Sequence, residues 1–185
     1  MPEKSENPRP MNDQVVLVDE KDVAIGLMPK LEAHEKGLLH RAFSVFIFNS
    51  KGEMLLQQRA FGKYHSEGLW SNTCCSHPFP GESAHHGAVR RLQEEMGMET
   101  GLQFLYTFQY CAGLDKGLTE NELDHVFWGV SDVKPRINPE EVNDYRYMSL
   151  EAIKADIADN PDHYTEWFKI CVPEITSKIR LKSLF

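Results

Sequence analysis

The chain has 185 residues, 41% of them apolar, and a formal net charge of −8 at neutral pH. This is enough for one domain with a sizeable core; no apolar run approaches the roughly 18 residues of a membrane span, and the acidic balance argues against a nucleic-acid partner. An anionic small substrate would need a local cluster of Lys and Arg, and four cysteines, two of them adjacent, do not make a disulfide framework at this length, so a reducing cytoplasm is the simplest setting.

Residues 1–12 are polar and Pro-rich and lack the apolar core of a secretory leader, so they are expected to be a disordered arm before a domain spanning 13–185. Gln14 to Asp19 is a β-rich run, Val23 to Leu27 its candidate partner, and Pro29 breaks the pattern. Lys30 and His34 follow, and His40 comes six residues after His34, with a Gly37-containing segment that reads as a loop. Six apart is not the i, i+4 pairing that puts two ligands on one helix face. The two histidines are either ordinary surface residues or meet at one metal if the loop folds back. Ala42 to Asn49 is the strongest strand signal. A hairpin turn at 49–52 closes it, and Met54 to Arg59 is the return strand. Arg59 and Lys63 stand at that strand's end, where basic side chains are usually just solvated.

Leu69 to Met98 concentrates the reactive chemistry: adjacent Cys74 and Cys75, His77, a Pro/Gly turn, then a helix carrying Arg90, Arg91, Glu94 and Glu95. The helix is expected to start near 81–83, to bury Ala84, Ala88, Leu92 and Met96, and to end at Gly97. Arg91 and Glu95 share one helix face, which is either a solvated salt bridge worth about 0.3 kcal/mol or part of a site. In an extended segment Cys74 and Cys75 point to opposite sides, so only one can face a pocket.

Gln103 to Ala112 reads as an aromatic-rich strand with Tyr110 near its end, and Asp124 to Val130 as another. If Glu120 and Glu122 extend that strand they point to the same side, where two carboxylates repel unless a metal, a basic cluster or water intervenes. Asn143 to Met148 looks like a last edge strand. Ser149 caps a helix running towards Asp159, and a final helix from Tyr164 to Leu181 is expected to be interrupted at Pro173. The sum is a single α/β or α+β domain, a mixed sheet with flanking helices.

Taken in order, the segments GLLHRAFSVFIFN, MLLQQR, WSNTCCSHP, RRLQEEMG, TENELDHVF and EWFKI resemble the type I isopentenyl-diphosphate isomerases, from about Lys30 to Ile170. The resemblance implies a Nudix-like fold. The central stretch is similar to a Nudix box with two departures: Ser76 replaces the first glycine, and Arg91 stands where the box has its first helix glutamate. Glu82, Arg90, Glu94, Glu95 and Gly97 are kept. Losing a metal-binding carboxylate and gaining a guanidinium favours holding a diphosphate without cleaving it.

The resemblance also implies roles. His34, His40, His77, Glu120 and Glu122 would hold a divalent metal, for which three imidazoles with carboxylates suit Zn²⁺ or Mn²⁺, with Mg²⁺ a further option. Glu95 would hold a Mg²⁺ bridging to the substrate diphosphate. Lys30, Arg59, Lys63 and Arg91 would supply the positive cluster, Cys75 and Glu122 the acid–base pair with Tyr110 assisting, and Trp167 a face for the hydrocarbon. Alone, Cys75 could be a small buried hydrophobe and Trp167 a core aromatic. The implied reaction moves the double bond of isopentenyl diphosphate to give dimethylallyl diphosphate in the cytoplasm, the protein being a monomer or homodimer with no membrane or nucleic-acid partner. The rival readings are a Nudix hydrolase of a nucleoside or isoprenoid diphosphate, and a non-enzymatic domain with a structural zinc.

Overall fold

The computed structural model describes residues 13–181, so the expected arm 1–12 lies outside the described residues. Strand β1 (Gln14–Val18) and strand β2 (Ala24–Pro29) form an antiparallel hairpin, and helix α1 (Lys30–Lys36) follows directly. Then come β3 (His40–Phe48), β4 (Met54–Arg59), β5 (Trp70–Ser71), β6 (Cys74–Ser76), α2 (Ala84–Met96), β7 (Gln103–Gly113), β8 (Thr119–Val130), β9 (Val142–Met148), α3 (Leu150–Asp159) and α4 (Glu166–Leu181).

The central strand is β3, as its run of Phe, Val and Ile predicts. One edge of it is taken along its whole length by β8, in parallel, from His40 opposite Glu122 to Phe48 opposite Val130. The other edge is shared: Leu17 of β1 faces His40, β6 covers Phe43 to Val45, and β4 meets it only at Phe48 opposite Met54. The expected return strand therefore leaves β3 at once and pairs along its length with β9 instead. The segment around β6 wedges the two strands apart. Thr73 Oγ1 accepts from the Ile47 N–H at 2.9 Å and donates to the Leu55 carbonyl at 2.7 Å, standing in for a rung of the ladder. A threonine hydroxyl can do this because it is both donor and acceptor.

Side-chain alternation along β3 splits the core in two. Phe43, Val45 and Ile47 pack with the expected α2 stripe, Ala84, Ala88, Leu92 and Met96. Phe46 and Phe48 point to the opposite face, against Trp167, Phe168, Cys171 and Ile175 of α4. Helix α2 lies close to the sheet: a Cβ at Gly87 would come within 2.7 Å of the Phe43 ring. Ser83 caps this helix through the His86 N–H, and Gly97 ends it with φ 59°. Helix α4 starts at Glu166 rather than Tyr164, because Tyr164 bridges to Trp70 and the Thr165 N–H bonds the Trp70 carbonyl at 3.0 Å. The interruption expected at Pro173 does not occur; the helix runs through it, and Thr176 Oγ1 donates to the Val172 carbonyl in the turn beyond. Among the described residues no helix is long and apolar enough to cross a membrane.

Candidate active site

Gly37 decides whether His34 and His40 can meet. It ends α1 in the left-handed conformation (φ 61°), with its N–H on the Ala33 carbonyl, a turn that glycine makes without steric cost. The chain reverses, β3 starts at His40, and the two imidazole centroids lie 4.9 Å apart. The fold-back that the six-residue spacing required has taken place. His77 follows β6 and joins them, with its Nε2 3.2 Å from His40 Nε2 and 2.9 Å from Glu122 Oε1. One ligand atom from each of His34, His40, His77 and Glu122 lies within 4.8 Å of all the others, and all four residues are buried.

The hydrogen bonds behind this cluster set its chemistry. His34 Nδ1 faces the Lys30 carbonyl at 2.7 Å and His40 Nδ1 faces the Leu38 carbonyl at 2.8 Å. A carbonyl accepts only, so both rings carry their proton on Nδ1 and turn an Nε2 lone pair inward. His34 Nε2 is buried with no partner. Burial lowers His34 to about 4 and His77 to about 3, so both are neutral at pH 7. Burial would raise Glu122, but the His77 hydrogen bond and the neighbouring imidazoles outweigh it and hold the carboxyl well below its usual range. A neutral His77 can supply such a bond by carrying its proton on Nε2. That still leaves the His40 lone pair against the His77 ring and the His34 lone pair with nothing. A cation at the centre removes the conflict and releases that proton, so the donor set fits a divalent metal.

Glu120, expected in the same ligand set, is not part of this tight group. It and Glu122 do point to one side of β8, as their spacing requires, but what lies between them is the Tyr110 hydroxyl, 2.6 Å from Glu122 Oε2 and 3.1 Å from Glu120 Oε2. Burial and the neighbouring Glu122 charge raise Glu120 well above its usual range. A protonated Glu120 donates to the phenol oxygen, which donates to the ionised Glu122, so each polar atom has a partner.

Beyond the histidines a cleft of about 390 Å³ opens, lined by Lys30, Arg59, Lys63 and Arg91 together with Gln57, Glu94, Glu95 and Glu141. The four basic residues expected to gather do so. Arg91 is also fully engaged by carboxylates: its Nη2 is 2.6 Å from Glu95 Oε1 and 2.9 Å from Glu141 Oε2, and its Nη1 is 3.0 Å from Glu94. Lys63 pairs with Glu141 as well. Glu95 is buried and takes Gln57 Nε2 on its other oxygen at 2.7 Å. Burial and the charges of Arg59 and Arg91 lower the Lys30 ammonium, the signature of cations crowded together. Glu82, although in its Nudix-box position, is turned elsewhere: it binds Arg90 at 2.8 Å and accepts from the Phe79 N–H, tying the loop to α2.

A smaller hollow of about 40 Å³ adjoins the cleft and shares Lys30, Arg59, Cys75 and His77 with it. Tyr110, Glu120, Glu122 and Trp167 complete its wall, with Tyr64 and His65. The alternation expected of the adjacent cysteines holds: Cys74 is packed in the α2 core, and Cys75 turns to the hollow. Burial pushes the Cys75 thiol up, so it keeps its proton. Trp167 is buried, with its Nε1 on Ser71 Oγ at 2.8 Å and the Arg59 guanidinium 5.2 Å above its ring. Tyr64 and His65 had not been picked out in the sequence, since they fall in an irregular loop. That loop is fixed from elsewhere by Lys116 Nζ on the Tyr64 carbonyl and by Asp115 on the Ser66 N–H. An aromatic–imidazole pair just before Trp70 was the one local signal of their role.

The fold and the glutamate-bearing helix define the class. The NUDIX domain family model matches residues 38–168. A Deinococcus radiodurans crystal structure superposes with a TM-score of 0.72 at 18% identity, covering 87% of this chain and 98% of that one. A Methanosarcina mazei MutT protein gives 0.62 at 20% identity, over 75% and 94%. These likenesses show the fold. At the level of sequence, an isopentenyl-diphosphate Delta-isomerase of Pectobacterium atrosepticum is 53% identical over 88% of this chain and 90% of its own length. A second from Aromatoleum aromaticum is 46% identical over 90% and 88%. The chain belongs to the isopentenyl-diphosphate Delta-isomerase family of Nudix proteins.

Proposed function

We propose that this pocket performs the isomerisation that family membership assigns to the chain, interconverting isopentenyl and dimethylallyl diphosphate. The observation that carries the reading is the pairing of a charged cleft with a small, buried hollow that presents a protonated thiol and an ionised carboxylate. The diphosphate lies along Lys30, Arg59, Lys63 and Arg91, and the five-carbon chain reaches into the hollow. Shifting the double bond needs one proton added at one carbon and another removed two carbons away. Cys75 and Glu122 together carry one transferable proton. With the proton on sulfur, Cys75 is the donor and Glu122 the acceptor; with it on Glu122, the roles exchange, as a reversible reaction requires. Tyr110 keeps Glu122 oriented and Glu120 holds the hydroxyl.

Protonating an unactivated alkene gives a tertiary cation, which water would trap. The hollow is too small to admit bulk water beside a substrate, and the Trp167 face stabilises the positive charge by about 1–2 kcal/mol when desolvated. His34, His40, His77 and Glu122 hold a divalent ion, Mn²⁺, Zn²⁺ or Mg²⁺, with Glu120 adjoining through Tyr110. When bound, it supplies a fixed positive charge that orients and polarises Glu122. Glu95 Oε1 is taken by Arg91 Nε and Nη2, while Oε2 has only Gln57 Nε2 and would have a lone pair for a Mg²⁺ that accompanies the diphosphate. The hydrolase alternative is disfavoured by Arg91, which stands where hydrolytic Nudix enzymes place a metal-binding glutamate. A structural zinc is disfavoured by a carboxylate-bearing ligand set opening on a cleft. Free cysteines at 74, 75, 111 and 171 suit a reducing compartment, and we place the protein in the cytoplasm. Incubating the metal-loaded protein with isopentenyl diphosphate in D₂O tests the reaction. Deuterium in the recovered isoprenoid with no phosphate release is expected. Free phosphate beside unlabelled substrate would turn the reading to hydrolysis.

A further inference from the structure

Cys75 sits on a three-residue strand and Trp167 on a helix more than ninety positions later, yet both must face one short hydrocarbon. A buried polar chain connects them. Trp167 Nε1 donates to Ser71 Oγ at 2.8 Å, and Ser71 Oγ donates to Asn72 Oδ1 at 2.9 Å. Asn72 Nδ2 donates to the Cys74 carbonyl at 2.8 Å and to the Val45 carbonyl at 3.2 Å. The Cys74 carbonyl belongs to the peptide whose nitrogen is that of Cys75. Thr165 Oγ1 also donates to Ser71 Oγ, at 3.1 Å.

The direction of every bond in this chain is fixed. An indole N–H only donates, so the serine oxygen must accept. Thr165 fills its second acceptor site, and its single hydrogen then has only Asn72 Oδ1 to go to. Asn72 is thereby oriented, with its two amide hydrogens on the two carbonyls. Ser71, Asn72, Thr165, Cys74 and Trp167 are all buried, so water does not compete for these bonds. The strand itself is weakly held, since β6 pairs with β3 over only three residues.

We propose that Ser71 and Asn72 are positioning residues that fix the Cys75 thiol and the Trp167 indole relative to each other across the substrate hollow. The proposal rests on the isomerase reading of that hollow. Neither residue lines the cleft or the hollow, so both act on the chemical step and not on diphosphate binding. A merely structural role would lower thermal stability and leave the kinetics of the folded enzyme alone.

The test compares metal-loaded wild type, Ser71→Ala, Ser71→Thr, Trp167→Phe and the Ser71→Ala/Trp167→Phe double variant, well below their melting temperatures. Ser71→Ala should lower kcat at least tenfold with KM within about twofold, and Ser71→Thr, which keeps the hydroxyl, should restore most of it. On the Trp167→Phe background, which has no indole N–H to orient, Ser71→Ala should cost much less than it does alone. Independently of turnover, the Trp167 indole N–H resonance should be protected from solvent exchange in wild type and shift on Ser71→Ala. If Ser71→Ala does not fold, Ser71→Cys, a poorer acceptor of similar size, should show the same loss in kcat and weaker protection. Wild-type kcat in a less stable Ser71→Ala, or losses that multiply in the double variant, would overturn the proposal. Absence of isomerisation in wild type would count against the isomerase reading instead.

Discussion

The two ends of the pocket keep their groups in place by opposite means. Around His34, His40, His77 and Glu122 the side chains are buried, two of the imidazoles are driven neutral, and the inward lone pairs wait for a cation. Around Arg91 the groups are mostly charged, and cations and carboxylates pair across an open cleft. The first end is organised by desolvation, which salt hardly touches. The second is organised by Coulomb pairing, which salt screens over about 8–10 Å. Proton transfer to carbon needs a dry site and a diphosphate needs a wet, charged one, so a single cleft is graded from one to the other. Cys75, His77, Lys30 and Arg59 stand where the two meet.

Substitutions can separate the ends, and the dry end should show the largest effects. His40→Ala removes an imidazole of the proposed metal site whose Nδ1 is already fixed by the Leu38 carbonyl; bound metal, counted by mass spectrometry, and turnover should be lost together. Cys75→Ala should lower kcat about 10²–10⁴-fold, the usual contribution of an acid–base group, with KM little changed. Normal metal content in the first variant, or near-normal turnover in the second, would erase the distinction between the ends.

At the charged end, Arg91→Glu would place a fourth carboxylate among Glu94, Glu95 and Glu141. KM should rise by about 10–100-fold, corresponding to one charge-assisted contact of roughly 1.5–3 kcal/mol. The loss should be partly masked in high salt. An unchanged KM would reduce Arg91 to a structural ion pair.

Acid gives a graded effect at the buried end, read in stability and not in turnover. His34, His65 and His77 are lowered by burial to about 4, 2 and 3. A depressed histidine binds protons more readily in the unfolded chain. The stability this contributes to the metal-free protein is therefore complete above about pH 6.5 and is lost as pH falls towards those folded values. Each such group changes stability by at most about 1.4 kcal/mol per pH unit in that window. Melting of chelator-treated protein between pH 7.5 and 4.5 should show this fall, and a flat profile would contradict the neutral imidazoles. Smallest of all, Cys74→Ala trims a side chain packed in the α2 core; melting temperature should drop by a few degrees while kcat and KM stay at wild type.

Much of the framework was legible because it rests on periodicity. The α2 stripe from Ala84 to Met96, its Ser/Gly ends and the alternation of Cys74 and Cys75 follow from spacing alone. The partners of β4 did not. Met54 to Arg59 reads as a return strand, and nothing local says that Thr73 will pry it from β3 and hand it to β9. The site shows the same division. Reactive residues stand out by type and by resemblance, and the structure gathers His34, His40, His77 and Glu122 from α1, β3, the end of β6 and β8. The resemblance groups Glu120 with them, and in the structure the Tyr110 hydroxyl, a contact between strands that spacing cannot foretell, stands between Glu120 and Glu122. Glu141 and Gln57 became visible only through tertiary contacts, since a lone Glu before a strand or a lone Gln within one carries no pattern.

Labelling of the thiols tests the meeting point of the two ends most directly. An epoxide analogue of isopentenyl diphosphate should anchor its diphosphate in the charged cleft and open its ring at the thiol that faces the hollow. Peptide mapping of the metal-loaded protein should find the adduct on Cys75, with Cys74, Cys111 and Cys171 unmodified and with excess dimethylallyl diphosphate giving protection. An adduct on Cys74, or equal labelling of exposed Cys111 with no protection by substrate, would contradict the account.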